Sequence, residues 1–319
     1  MGPTLRADMH AHTRYSGWRH LRFIHPRDCY TDPLDLYRGA LARGMDLVAV
    51  TDHDTVEGAL RLLDAPGVDP ARVLVGEEVE CRFPETGQWV HVNVYGLSVE
   101  DHRHLAAVRG DVRQVVACCK ERALLHVLNH PFQSWRGQKP LEAYLEDLLE
   151  LFSHVEGLNG AVPALQNRAV GSLCARAATW GRRLIQVGGS DAHVPRRVGR
   201  AWTQAPAADA PGFLAAVRDG RCTVGGEANT TPGLLRDVTE VVGTYYARLY
   251  AGRGEAPTRA TYALDLAFAT ASLAAVATGV PAWVVLGSQA RQKLVSLVVL
   301  RGLPNLAPMS APAYNPLSD

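Results

Sequence analysis

Asp8-Met9-His10-Ala11-His12-Thr13 follows a short apolar run, Leu5 to Ala7, that reads as a first strand. Side chains two apart on a strand share a face, so His10 and His12 present two imidazoles together, half of a metal site. Alone this is a weak signal. Four later stretches repeat it, each an apolar run ending in His, Asp or Glu: Thr51-Asp52-His53-Asp54, Gly76-Glu77-Glu78, Asn129-His130-Pro131 and Gly189-Ser190-Asp191-Ala192-His193. Five such clusters at the ends of five candidate strands are hard to account for without metal.

The segments between the clusters alternate strand with helix. Asp32-Pro33 opens a helix, with Asp suited to the N-cap and Pro to the first helical position, and Gly44 ends it. Leu47 to Thr51 is a continuous apolar run, as in a strand buried on both faces. Val73–Val75, Trp89–Tyr95, Leu124–Leu128, His154–Leu158 and Leu184–Gly188 read as further strands. Val56–Leu63, Val99–Arg109, Asp111–Glu121, Leu141–Leu151, Ala169–Trp180 and Gly212–Asp219 read as helices. The alternation argues for a parallel sheet. Seven or so such units close more naturally as a distorted barrel than as an open sheet. Reactive residues of barrels gather at the C-terminal strand ends, where His10, His53, Glu78, His130 and Asp191 fall.

Bulk properties agree. The 319 residues are 47% hydrophobic and 20% charged, with a net charge of +1. That composition suits a folded protein and gives no global electrostatic case for nucleic acid or a membrane surface. The six cysteines lack CxxC spacing and are expected as free thiols in a reducing cytoplasm. The first residues lack the apolar core of a signal peptide. Composition changes near Gly233, so the expected organisation is a barrel over 1–233 and a helical extension over 234–319, with helices around 234–250, 260–278 and 283–300 and a disordered tail from Pro304. Leu266 to Gly287 holds no charged residue and is long enough to span a bilayer, although Pro281 and the many Ala, Thr and Ser favour a buried hairpin or a surface for homo-oligomers.

In this order the motifs resemble those of the PHP (polymerase and histidinol phosphatase) family, over roughly residues 5–230. The resemblance implies a distorted (β/α)7 barrel, here with the helical extension, and two or three divalent ions. It implies that His10 and His12 bind one ion with Glu78 and Asp191, that Glu78 bridges to a second held also by His91 and His130, and that His53 and His193 face a third. A mixed His and carboxylate set favours Zn, Mn or Fe. Glu77 is the rival of Glu78, and the family spacing favours Glu78. His91 alternates with Val90 and Val92, so it points either into the site or to solvent. His126 shares a face with His130 and reads as an internal histidine. Asp8, Asp52 and Asp54 read as partners that orient imidazoles, or as caps.

One departure stands out. The family carries an acid shortly after the first motif, whereas no acid lies between Thr13 and Asp28 here, and Arg14, Arg19, Arg22 and Arg27 do. Either Asp28 or Asp32 folds back to supply the ligand, or an arginine, with Arg19 the candidate, takes over the positive charge of a two-ion site. The two-ion form is the preferred expectation.

The expected activity is hydrolysis of a phosphate ester, with His53 or His193 protonating the leaving group where it holds no metal. A small phosphomonoester or nucleotide is the expected substrate, since no basic stripe with interleaved aromatics serves long nucleic acid. Phe132, Trp135 and Arg136 could stack on a base or simply anchor a loop. An amidohydrolase-like reading needs a bridging lysine, and Lys120, Lys139 and Lys293 lie at no expected strand end. A non-catalytic metal-stabilised module acting through the helical tail is the remaining alternative.

Overall fold

The first strand, β1 (Thr4–Asp8), lies within a nine-stranded sheet in a computed structural model that describes residues 2–16, 26–254 and 258–305. It pairs in parallel with β2 (Leu47–Val50), and β2 with β3 (Val73–Arg82). β3 then folds back on β4 (Trp89–Tyr95), which also runs antiparallel to β5 (Leu125–Asn129). β5, β6 (His154–Asn159) and β7 (Ile185–Gly189) are mutually parallel. On the other side of β1, β8 (Ala201–Pro206) and β9 (Thr223–Gly226) run antiparallel.

The sheet is therefore mixed where alternation suggested a parallel one. Only six residues join β3 to β4, too few for the crossover helix that parallel strands need. That hairpin also lengthens β3 beyond the expected Val73–Val75, because Gly76 to Arg82 pair with Tyr95 to Trp89. Glu78 thus sits inside a strand rather than at its end. β8 escaped the sequence reading because its buried positions carry small residues, Ala201, Thr203 and Ala205, and β9 because Thr-Val-Gly-Gly offers no apolar run.

The sheet curls until β7 meets β1. The Asp191 amide donates to the His10 carbonyl at 2.7 Å, and the His12 amide to the Ala192 carbonyl at 3.1 Å. The Thr203 hydroxyl ties β8 to β7 by accepting from the Gly188 amide and donating to its carbonyl. This seam needs glycine: a Cβ at Gly189 would stand 2.4 Å from the Cβ of His10. The result is a nearly closed, barrel-like sheet.

Inside it, Ala7, Met9, Ala49, Leu74, Val127 and Val187 form one apolar cluster, closed below by Phe213 and Val217 of α7 (Ala210–Arg218). Outside, α1 (Pro33–Ala42) and α2 (Glu57–Leu63) cover β2, while α3 (Val99–Val108), α4 (Val112–Glu121), α5 (Leu141–Leu151) and α6 (Ala164–Thr179) cover the other flank. Asp32 caps α1 as expected, accepting from the Leu34 amide, with Pro33 in the first turn. All six cysteines are free.

The extension forms α8 (Thr231–Tyr250), α9 (Arg259–Ala277) and α10 (Val280–Gly302). α10 packs on α6, α8 and α9, and its Val295 and Val299 join the barrel's outer core. α9, covering much of the charge-free run, is long and apolar enough to cross a membrane by length and composition.

Candidate metal centre

Histidines 10 and 12 leave the end of β1 just where β7 closes on it, so the seam fixes both rings. His10 Nε2 and His12 Nε2 lie 3.2 Å apart, and each faces Glu78 Oε2, at 3.2 and 3.3 Å. Asp191 Oδ1 stands 3.6 Å from His10 Nε2 and 3.3 Å from His12 Nε2. Four donors around a tetrahedral ion with bonds of about 2.0–2.1 Å stand about 3.3–3.4 Å from one another. Five edges of this quartet match that figure within a few tenths of an ångström.

The other oxygen of Glu78 serves a second group. Its Oε1 lies 3.1 Å from both His91 Nδ1 and His130 Nε2, and accepts from the Asn129 side-chain Nδ2 at 2.8 Å. His91 thus points into the site, while Val90, Val92 and Val94 on the opposite face fill the outer core.

A third group lies toward the mouth. Asp28 returns to the site, with Oδ2 3.6 Å from His53 Nε2 and 3.9 Å from His193 Nε2, held there by the Ser16 hydroxyl at 3.0 Å. Asp32 is occupied elsewhere, as the cap of α1 and the partner of Arg14. Of the two acids weighed from sequence, Asp28 is the one that folds back. Arg19 and Arg22 lie outside the described residues, and Arg27 donates to the Tyr15 carbonyl.

The donor set fits divalent cations. His53 Nδ1 is buried without a hydrogen-bond partner and lies 3.3 Å from Glu78 Oε2, a costly state for a polar atom unless something completes it. Ligand atoms of His12, His53 and His193 also approach within 4.8 Å of one another. In the metal-free chain, burial pulls the two inner imidazoles down, but the surrounding carboxylates override it. His12 rises to about 10 through Asp191 and Glu78, and His10 rises well above its usual value. Burial opposes the charge of Glu78 and Asp191 too, yet the histidines hold both well below the ordinary carboxylate range. The pocket demands positive charge and takes protons when nothing else supplies it. His53 differs: burial lowers it to about 3, so it stays neutral and able to coordinate.

The backbone is strained at the same place. Asp54, His130 and Asp191 are three of the four described non-glycine residues with positive φ, at +52°, +23° and +49°. Such conformations cost on the order of 1–3 kcal/mol and persist where the surroundings enforce them.

Every imidazole and carboxylate expected at the site converges there. Glu77 points the other way and pairs with His102 at 2.7 Å. His126 is internal, facing the Leu124 carbonyl. The three acids beside the motifs orient backbone rather than imidazoles: Asp8 accepts from Ser190, Gly199 and the His10 amide, Asp52 from Thr13, and Asp54 from the Glu80 amide. The imidazole-orienting role belongs to Glu156, which sequence reasoning missed. Its Oε1 lies 2.8 Å from His10 Nδ1, and its Oε2 accepts from the His130 amide and from Asn159. A lone glutamate inside the buried β6 run was the available signal. Phe132 is buried and Trp135 donates to the Lys139 carbonyl, so both anchor their loop. Lys139 pairs with Asp147, away from the centre. Beside His193 a cavity of about 160 Å³ opens between the Tyr30–Asp35 segment and α8, where Glu240, Val241 and Thr244 line it.

Comparison with known proteins agrees with this arrangement. A family model described as PHP-associated matches residues 175–222. An uncharacterized protein of Methanocaldococcus jannaschii is 29% identical over 134 residues, 40% of this chain and 68% of that protein. The error-prone DNA polymerase of Cutibacterium acnes is 29% identical over 130 residues, 39% of this chain but 11% of the polymerase. Among solved structures, PsfC from Pseudomonas syringae shares the fold at 17% identity, with a TM-score of 0.52, covering 76% of this chain and 100% of that one. Five ordered motifs folded onto one barrel mouth, with a PHP-associated segment spanning the last of them, support a PHP family protein.

Proposed function

We propose that this protein is a metal-dependent hydrolase of phosphate esters, acting on a small phosphomonoester or nucleotide. The observation that carries the proposal is the quartet of His10, His12, Glu78 and Asp191 at the spacing of a tetrahedral ion's ligands. In this reading that quartet holds one ion, and Glu78 with His91 and His130 holds a second. Asp28 with His53 and His193 holds a third, which revises the preference for two ions because the missing acid is found. Bound divalent ions of the Zn, Mn or Fe class would supply Lewis acidity toward a phosphoryl oxygen and lower the pKa of a bound water.

The chain's own residues do the rest. Glu156 fixes the His10 ring through Nδ1, leaving Nε2 to face the site. Asn129 and the second histidine pair hold Glu78 so that each of its oxygens faces a different group. His53 stays neutral and suits coordination, and His193, 29% exposed, stands where the third group meets the cavity. The net charge of +1 offers little general attraction for a long polyanion, which favours a compact ester.

The test is phosphate release by protein reconstituted with Mn²⁺ or Zn²⁺, across phosphomonoesters, nucleotides and short oligonucleotides, with His10→Ala beside it. Release that vanishes in the variant is the expected result. A folded, metal-loaded protein that releases no phosphate above the variant would overturn the proposal and favour a binding module.

A further inference from the structure

Eleven of the thirteen exposed large apolar side chains among the described residues lie on α8, α9 and α10. On α10 they form one stripe. Trp283 is 71% exposed, Val284 66% and Leu294 62%, with Leu286, Leu297 and Val298 beside them. The inner face of the helix is already spent, since Val285, Gln289, Gln292, Val295 and Val299 are buried against the protein. Large side chains stand at both ends of the stripe and small ones, Gly287 and Ala290, in the middle. A Cβ at Gly287 would meet nothing within 4 Å, so the centre of the stripe is an open notch.

We propose that α10 is the two-fold interface between two copies of this chain. An isologous contact requires a patch that complements itself, and this one does so when two α10 helices cross antiparallel about Ala290. Leu294 then fills the notch at Gly287 of the partner subunit, and Trp283 and Val284 meet Leu297 and Val298 of the partner subunit. Residues 266–290 carry no charge; beyond them the Arg291 guanidinium is turned back onto the Gln133 and Trp135 carbonyls, and Lys293 is exposed beside the stripe. A standard interface takes about 800 Å² from each partner, and the six large side chains of the stripe, 39–71% exposed, form a contiguous face rather than the scattered apolar residues that need no explanation. A lipid occupant fits less well. α9 is tied to α8 through Tyr246 with Ser272 and Tyr250 with Thr270, and it carries the buried Asp265. α8 carries Arg236, Asp237, Glu240 and Arg248, and exposed Lys293 and Arg301 flank the stripe of α10.

The test is sedimentation velocity of the full chain from about 1 to 100 µM, a range that brackets micromolar association. A dimer is expected, weakened at least tenfold by Leu294→Arg, which places a charge in the notch, and by Gly287→Leu, which fills it. Val99→Arg, on another exposed apolar site, should change nothing. Ala290→Cys should cross-link to itself under mild oxidation, a readout that does not depend on a destabilising change. A monomer throughout the range, a dimer indifferent to both α10 variants, or flotation of the wild type with phosphatidylcholine–phosphatidylglycerol vesicles that Leu294→Arg abolishes would each overturn the proposal.

Discussion

The barrel mouth and the helical extension are mirror images in polarity. At the mouth, His10, His12, Glu78, His130, Glu156 and Asp191 are almost wholly buried. On the extension, Trp283, Val284 and Leu294 are mostly exposed. Each region breaks the rule that apolar groups go inside and charges outside. The barrel breaks it with help: a closed seam, strained backbone and a surrounding hydrogen-bond network hold the charged groups in place. The extension breaks it without such support, so its apolar face reads as a surface awaiting a counterpart, while the mouth reads as a site awaiting a cation.

Glu78 is where the comparison breaks most sharply, because both of its oxygens are engaged. Glu78→Gln keeps the size and the Asn129 contact but removes the charge that two histidine groups share. We expect the metal content to fall by more than one ion per chain and kcat/KM to fall on the order of a thousandfold, since ions at such sites contribute several kcal/mol. Elemental analysis of the purified variant and a phosphate-release assay check both. Unchanged metal content would show that Glu78 is a structural acid.

Glu156→Gln tests the layer behind the ligands. The substitution weakens the hold on His10 Nδ1 while keeping a group that can accept from the His130 amide and Asn159. Metal affinity is expected to drop about 10- to 100-fold, measured by competition with a chelating dye, with the fold retained by circular dichroism. An affinity within twofold of wild type would remove Glu156 from the site.

Removing the ions should expose the protons that replace them. In the metal-free chain His12 is raised to about 10 and His10 is raised well above its usual value, so their ion pairs contribute fully below about pH 6.5, and that contribution is lost as pH rises toward 10. Chelated protein should therefore lose stability to urea between pH 6.5 and 10, while metal-loaded protein should not, because the ion replaces the protons. Parallel slopes for the two forms would contradict the site's demand for positive charge. The same measurement leaves the extension untouched, since α8 to α10 supply no ligand.

How much of this was legible in the sequence follows the same division. Candidate ligands that end apolar runs announce themselves, because a charged group in a buried strand is conspicuous: His10, His53, Glu78, His130 and Asp191 were all visible. Glu156 was equally buried but stood inside a run without a motif around it. Asp28 lies fifteen residues beyond Thr13, and only the folded loop brings it to His53. β8 and β9 were illegible because a strand lining a tight seam uses small residues, which carry no periodic signal. The direction of β4 was concealed by periodicity, which reports faces but not orientation. The charge-free run of the extension was plain, but its lying outside on α9 and α10 could come only from the fold.

The smallest expected effect lies far from the metal centre and sharpens the contrast between histidines buried with carboxylates and one buried without them. His154 opens β6 and sits under the last turn of α7, where its Nε2 donates to the carbonyls of Val217 and Arg218 at 3.3 and 3.2 Å. Those carbonyls favour a cation, as the C-terminal end of a helix does, but burial dominates and lowers His154 to about 4. Among the described residues no carboxylate answers it, in contrast to His12, which the same burial could not keep neutral. Because the folded value lies below the unfolded one near 6.5, the neutral ring's contribution is complete above pH 6.5 and is lost as pH falls toward 4. The loss should be on the order of 3 kcal/mol. In chelated protein, His154→Gln should be less stable at pH 7 yet lose less between pH 6.5 and 4 than wild type, measured by urea unfolding at each pH. Equal losses in the two proteins would mean that the α7 carbonyls, and not burial, set the charge of this ring.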